Sequence, residues 1–197
     1  MPLAPFPDSP LARAANELLL AVSPPALVAH CHRTYRFGAA LLTERGRAFD
    51  AEALFIASAL HDLGLTDAYN HPRTPFELHG ARLAEEHLLA GGARPETVAL
   101  VRDAITLHLE PETADDPRPE VAAVHLGAAA DVIGARLDQL PPGLLAAVLE
   151  IHPRQHFTSY LIEVMARQAA TKPTSRIGAL VERTEFLDLI ANAPFAD

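Results

Sequence analysis

Cysteine is nearly missing from this chain. Cys31 is the only one, which excludes a disulfide framework and a cysteine-built zinc finger. Positive charge is also in short supply: Lys and Arg total 16 against 25 Asp and Glu, for a net charge of −9. That balance argues against a protein that grips a nucleic-acid backbone. No run approaches the roughly 18 apolar residues that a membrane span needs. The opening MPLAPFPDSP has neither a basic segment nor an apolar one of the kind that marks a secretory signal, so a cytoplasmic protein is expected. β-Branched residues are comparatively few, whereas alanine occurs 37 times; the balance favours helix over sheet.

What remains is a chain of 197 residues, 49% hydrophobic. That is long enough for one domain with a full core and too apolar for a disordered chain. The excess lies in histidine, with ten copies. Proline punctuates helix starts and does not fill a linker. Pro24-Pro25 follow an N-capping Ser23 and open a helix over 24–45 with apolar residues at helical spacing. Asp50 caps the next helix, AEALFIASALHDLG. Thr74-Pro75-Phe76-Glu77 reads as a capping box that launches a helix to Ala90, stopped by Gly91-Gly92. Another helix runs from Pro95 to about His108, and the acidic, proline-rich EPETADDPRPE is expected to be an exposed loop. An alanine-rich, buried helix spans 120–136, and two or three more follow Pro141. The fold expected is an all-α, single-domain bundle of eight or nine helices. Residues 1–23 form an N-terminal helix, 24–140 the core that carries the chemistry, and 141–197 helices that complete the same domain. Their apolar residues suit the core first and a homodimer face second.

His61 and Asp62 sit in an apolar helix, FIASALHDLGL. A carboxylate there needs a cation or strong hydrogen bonds, because burying it unpaired is costly. His30 lies on the preceding helix and Asp131 among alanines in HLGAAADVIG. Two imidazoles and two carboxylates on separate buried helix faces make an N2O2 metal set. Neighbours on a helix diverge by about 100°, so His61 and Asp62 can straddle one ion while Asp62 reaches a second. Arg33 shares the face of His30 and Arg82 the face of His79, three positions on. Either guanidinium could clamp a phosphate or carboxylate.

The order His30, His61-Asp62, Asp131, with spacings of 31 and 69 residues, resembles the HD superfamily of metal-dependent phosphohydrolases, whose pattern is H…HD…D in an all-helical fold. The likeness covers about half of the chain, over 30–136. It implies His30, His61, Asp62 and Asp131 as metal ligands. His79 and His108 match in order the extra histidines of two-metal members, which implies a second ion bridged by Asp62. Zn, Fe, Mn, Co and Ni all suit such a set. Many phosphohydrolases of this superfamily read HDxGK, whereas Leu65 stands here in place of the lysine. The one lysine, Lys172, lies far along the chain. The stretches HRTYRFG, ALHDLGLT, FELHGA and VHLGAAADVIG look like the cyanamide-hydratase-like branch, which adds water to a small nitrile-type substrate at the same kind of site.

The first expectation is a metal-dependent phosphohydrolase on a small phosphoester or nucleotide. A water of lowered pKa attacks phosphorus, Asp62 or Asp67 takes the proton, and Arg33 and Arg82 offset the charge. The alternatives are hydration of a nitrile-type substrate and a non-catalytic nucleotide- or metal-binding module.

Overall fold

The computed structural model describes residues 3–196. Among them it contains ten α-helices and no strand. They are α1 (Pro10–Val22), α2 (Pro25–Glu44), α3 (Ala51–Leu60), α4 (Phe76–Ala90), α5 (Pro95–Leu107), α6 (Pro119–Ile133), α7 (Leu144–Ile151), α8 (Phe157–Thr171), α9 (Arg176–Arg183) and α10 (Phe186–Ala191). None is long and apolar enough to cross a membrane. The all-α expectation holds. The count exceeds eight or nine because four helices follow Pro141 where two or three were expected. A helix after Thr174 is among those expected and forms as α9, whereas α10, six residues long, is too short to leave a clear periodic pattern.

Asp50 caps α3 as expected, accepting from Glu52 and Ala53, and Ser9, which the sequence reading did not single out, caps α1 by accepting from the Ala12 amide. These bonds satisfy amides that an isolated helix start leaves unpaired. Ser23 does not cap the next helix: α2 starts from Pro24 with no side-chain cap, because two prolines at its start leave fewer amides to satisfy. Gly134, in the left-handed region at φ 71°, stops α6. The capping box does not form: α4 starts from Pro75 with no side-chain cap, and the Thr74 amide donates to His71 Nδ1 instead, at 2.9 Å. The proline-rich loop is also less exposed than expected. It folds into a tight turn over Pro111–Asp115 that buries Thr113 and Ala114, anchored by the Thr113 hydroxyl on the Leu107 carbonyl.

Helices α2 and α6 share the most extensive contact among the described elements, and two glycines let them approach closely. A Cβ on Gly127 would lie 2.1 Å from the Thr34 carbonyl oxygen, and one on Gly38 would lie 2.5 Å from that of Ala123. Only backbones without side chains at these points can approach so far. His30, Thr34 and Gly38 recur every four residues along α2, as do Ala123, Gly127 and Asp131 along α6, so each trio lies on one face. The glycine contacts therefore run along one seam, and His30 and Asp131 meet at its end. The C-terminal helices pack against the earlier ones: Phe157, Leu161, Met165 and Ile177 share an apolar cluster with Ala26 of α2 and Phe76 of α4.

Candidate metal centre

Four polar side chains converge where α2, α3, α5 and α6 meet. His61 follows the last residue of α3 and His108 the last residue of α5. Each turns its Nδ1 back onto the carbonyl three residues earlier, His61 on Ser58 at 2.8 Å and His108 on Ile105 at 2.6 Å. Helix ends leave such carbonyls unpaired, and a ring N–H there satisfies one. A carbonyl only accepts, so Nδ1 carries the hydrogen in both rings. The lone pair of each neutral ring then resides on Nε2. His30 is fixed in the same tautomer by Asp131, whose Oδ2 accepts from Nδ1 at 2.7 Å. Its ring also stacks on Phe157, with centroids 4.5 Å apart and planes 15° from parallel.

All three Nε2 atoms face Asp62. His30 Nε2 is 3.2 Å from His61 Nε2. Asp62 Oδ2 lies 3.5 Å from the first and 3.3 Å from the second. Its Oδ1 lies 3.8 Å from His108 Nε2. All four residues are buried. Lone pairs and a carboxylate thus crowd together with no hydrogen between them, an arrangement that repels itself unless a cation is shared. Among the described residues, His30, His61 and Asp62 each offer one atom within 4.8 Å of the others, a group that could hold a metal ion. Protonation is a poor substitute for that ion. Burial, helped by the neighbouring His30, holds His61 down to about 3. Burial and His61 hold His108 at about 4. Burial pushes Asp62 the other way, above its ordinary value, against the pull of His30 and His108.

Asp131, expected as a fourth ligand, stands behind His30. Arg33 donates from Nε to Oδ1 at 2.6 Å and from Nη2 to Oδ2 at 2.8 Å. Arg154 adds a contact to Oδ1 at 3.2 Å, so both oxygens are engaged. Burial opposes ionisation of Asp131, yet Arg33 and the His30 hydrogen bond outweigh it and hold the carboxyl well below its usual range. Arg33, expected to clamp substrate, is wholly buried. Its remaining hydrogen bonds go to the carbonyls of His152 and Pro153, both at 3.1 Å. Its charge answers Asp131 because neither could be buried alone.

The other expected residues lie elsewhere. His79 is only half-buried on α4, its ring beside His71 at 5.2 Å; of the two histidines expected at a second ion, His108 alone reaches the cluster. Arg82 is 62% exposed and faces Glu86 on the surface. Helix α4 turns Phe76, Gly80, Ala84 and Leu88 inward, a stripe of period four that leaves 79 and 82 off the buried face. Asp67 is exposed, beyond the tight turn over Leu63–Leu65.

A cavity of about 260 Å³ opens onto the cluster. His30, His61, Asp62, His108 and His125 form its polar part. His125 is held by its own Nδ1–H on the His108 carbonyl at 2.8 Å. Leu109, Val132, Leu161, Met165, Leu180 and Phe186 supply apolar wall. No arginine or lysine lines it among the described residues. Sequence reasoning missed Arg154 and Phe157, since one arginine beside a proline and one phenylalanine opening a helix carry no signal of their own.

No family model matches the chain. Two curated relatives from Saccharomyces cerevisiae, the cyanamide hydratases DDI2 and DDI3, are each 23% identical to it over 182 residues, covering 90% of this chain and 81% of theirs. The chain is thus distantly similar, over nearly its whole length, to proteins named as hydratases, and it brings two histidines and an aspartate together as a metal ion would require.

Proposed function

We propose that this chain is a metal-dependent hydratase that adds water to a small, uncharged nitrile-type substrate. The observation that carries the reading is the wall of the cavity: among the described residues, no arginine or lysine lines it beside the converging histidines and Asp62. Phosphoryl chemistry needs charge stabilisation around the transferred group. The two arginines expected to supply it are committed elsewhere, Arg33 to Asp131 and Arg82 to Glu86. A nitrile carbon needs no such clamp. The curated relatives, named cyanamide hydratases, support the same choice.

His30 and His61, through Nε2, and Asp62, through a carboxylate oxygen, would hold the ion. A divalent cation there supplies Lewis acidity, which lowers the pKa of water from 15.7 toward about 7. Asp131 keeps the lone pair of His30 aimed at the site by fixing its tautomer. Asp62 Oδ1 and His108 Nε2 face each other at 3.8 Å. Neutral His108 can accept at Nε2 the proton that water releases, and the ring so protonated, beside Asp62, can return it to the substrate nitrogen. The apolar wall excludes bulk water, which strengthens each of these interactions.

The experiment is a direct comparison on metal-loaded protein. Cyanamide is offered beside a generic phosphodiester and a nucleotide panel. Urea without phosphate release is the expected result; phosphate release without urea overturns the reading. Metal analysis is expected to find one ion per chain, since His79 neither lines the cavity nor belongs to the group that could hold an ion.

A further inference from the structure

The cavity is built for more than its polar part requires. Cyanamide has three non-hydrogen atoms and fills on the order of two water volumes of about 30 Å³ each. The space over the cluster is about 260 Å³. Its two kinds of wall are segregated. The polar groups form one contiguous set, because His30, His61 and Asp62 touch, His108 faces Asp62 and His125 is bonded to His108. Leu109, Val132, Leu161, Met165, Leu180 and Phe186 instead belong to one apolar cluster formed with the C-terminal helices. The one hydroxyl among these walls, on Thr184, is bonded to the Leu180 carbonyl at 2.6 Å. Leu189, half-exposed, carries the apolar lining out to the surface.

We propose that the substrate of this site carries an apolar arm: an uncharged molecule with a C≡N group at one end and an alkyl or aryl group of about four to eight carbon atoms at the other, in keeping with a pocket of this size. The proposal rests on the hydratase reading and names its substrate class. The C≡N carbon lies at the histidine end, and the arm lies along Leu109, Leu161, Met165 and Leu180. A charged arm is excluded by the absence of a counter-charge there, and a polar arm would lose its hydrogen bonds to water without replacement. The reaction balances without any redox partner. Water oxygen forms a bond to the nitrile carbon, one C–N π pair moves to nitrogen, and nitrogen takes the proton that water releases. The resulting imidic acid moves its remaining O–H proton to nitrogen. R–C≡N plus H2O becomes R–C(=O)NH2, and an N-substituted cyanamide becomes an N-substituted urea.

The test is a series of cyanamide and its N-methyl, N-butyl and N-benzyl derivatives on metal-loaded protein, read as kcat/KM. The expected result is a rise of about fourfold per methylene, the factor that about 0.8 kcal/mol per buried CH2 implies. Leu180→Trp and Ala129→Leu each fill part of the arm's space and are expected to lower the butyl-to-methyl ratio by about tenfold, in line with a pocket discriminating by size. Should one variant fail to fold, the other carries the same readout. Conversion of cyanamide with no gain for the butyl and benzyl compounds overturns the apolar arm and leaves the hydratase reading standing. Hydration of no member overturns the hydratase reading. The arm then rests on calorimetric binding of N-butylurea against urea: tighter binding of the butyl compound supports it, and equal or absent binding overturns it.

Discussion

Asp131 holds His30 by a 2.7 Å hydrogen bond from Nδ1 while the same carboxylate takes a two-pronged contact from Arg33. One buried anion therefore sets the tautomer of an imidazole and neutralises a guanidinium. Asp131→Asn keeps the shape and removes the charge. Arg33 is left buried without its counter-ion, so a loss of about 3–5 kcal/mol is expected in urea unfolding. Metal affinity is expected to fall about 10–100-fold, as is usual when the group behind a ligating histidine is lost; titration of the folded variant checks this.

Asp62→Ala has the opposite balance. Asp62 stands among three lone pairs with no donor within hydrogen-bond reach in the cluster. Its removal relieves repulsion in the metal-free protein. Metal binding and turnover are expected to vanish, whereas the Tm of metal-free protein stays level or rises. A fall in that Tm would show that the carboxylate is needed for folding itself.

Three substitutions are expected to be silent. Arg82, Asp67 and His79 lie outside the cavity. Replacing each by alanine is expected to leave ion stoichiometry at one per chain, and Arg82→Ala to change stability by less than about 0.5 kcal/mol. A lost ion in His79→Ala would restore the two-metal expectation.

Acid is expected to weaken the metal-free fold through histidines that it buries uncharged. Burial, then the charges of His152, Arg36 and Arg33, holds His32 down to about 4. Burial, then Arg36 and Arg33, holds half-buried His152 at about 4. In the unfolded chain both protonate near pH 6.5. Between about pH 6.5 and 4 the unfolded state binds more protons, so their stabilising contribution is full above this window and is lost as pH falls through it. The slope is at most about 1.4 kcal/mol per pH unit for each residue, less for His152 because solvent screens it. Urea unfolding from pH 7 to 4 measures it, and His152→Gln is expected to flatten the curve.

Gly127→Ala tests the seam that carries the site. Its methyl would meet the Thr34 carbonyl oxygen at 2.1 Å, and both partners are backbone, so α2 and α6 must separate. A loss of about 2–3 kcal/mol is expected, with weakened metal binding as His30 and Asp131 are drawn apart.

Part of this arrangement was legible in the sequence. Alanine-rich, proline-started segments announced helices because propensity and capping act locally. Polar groups in apolar helices announced a buried cluster because an apolar stretch tolerates a carboxylate only with a partner. Arg33 and Asp131 were both read as pointing into the site. Neither inference could see that the two would satisfy each other, because their partnership spans 98 residues. Arg82 could have been set aside earlier, since the period-four stripe on α4 already turned it outward.

The order of amino acids is enough to establish an all-helical chain and to mark imidazoles and carboxylates set among apolar residues, since helical periodicity and the cost of burying charge operate within each segment. It did not show that His61, Asp62 and His108 stand past helix ends, not on helix faces. The packing decided the rest. It chose which of those groups face one another, placed Asp131 behind His30, and closed an apolar wall around the cluster with helices from the far end of the chain. Those outcomes depend on how closely backbones approach and which charges become neighbours, and both are settled only when distant segments compete for the same buried space.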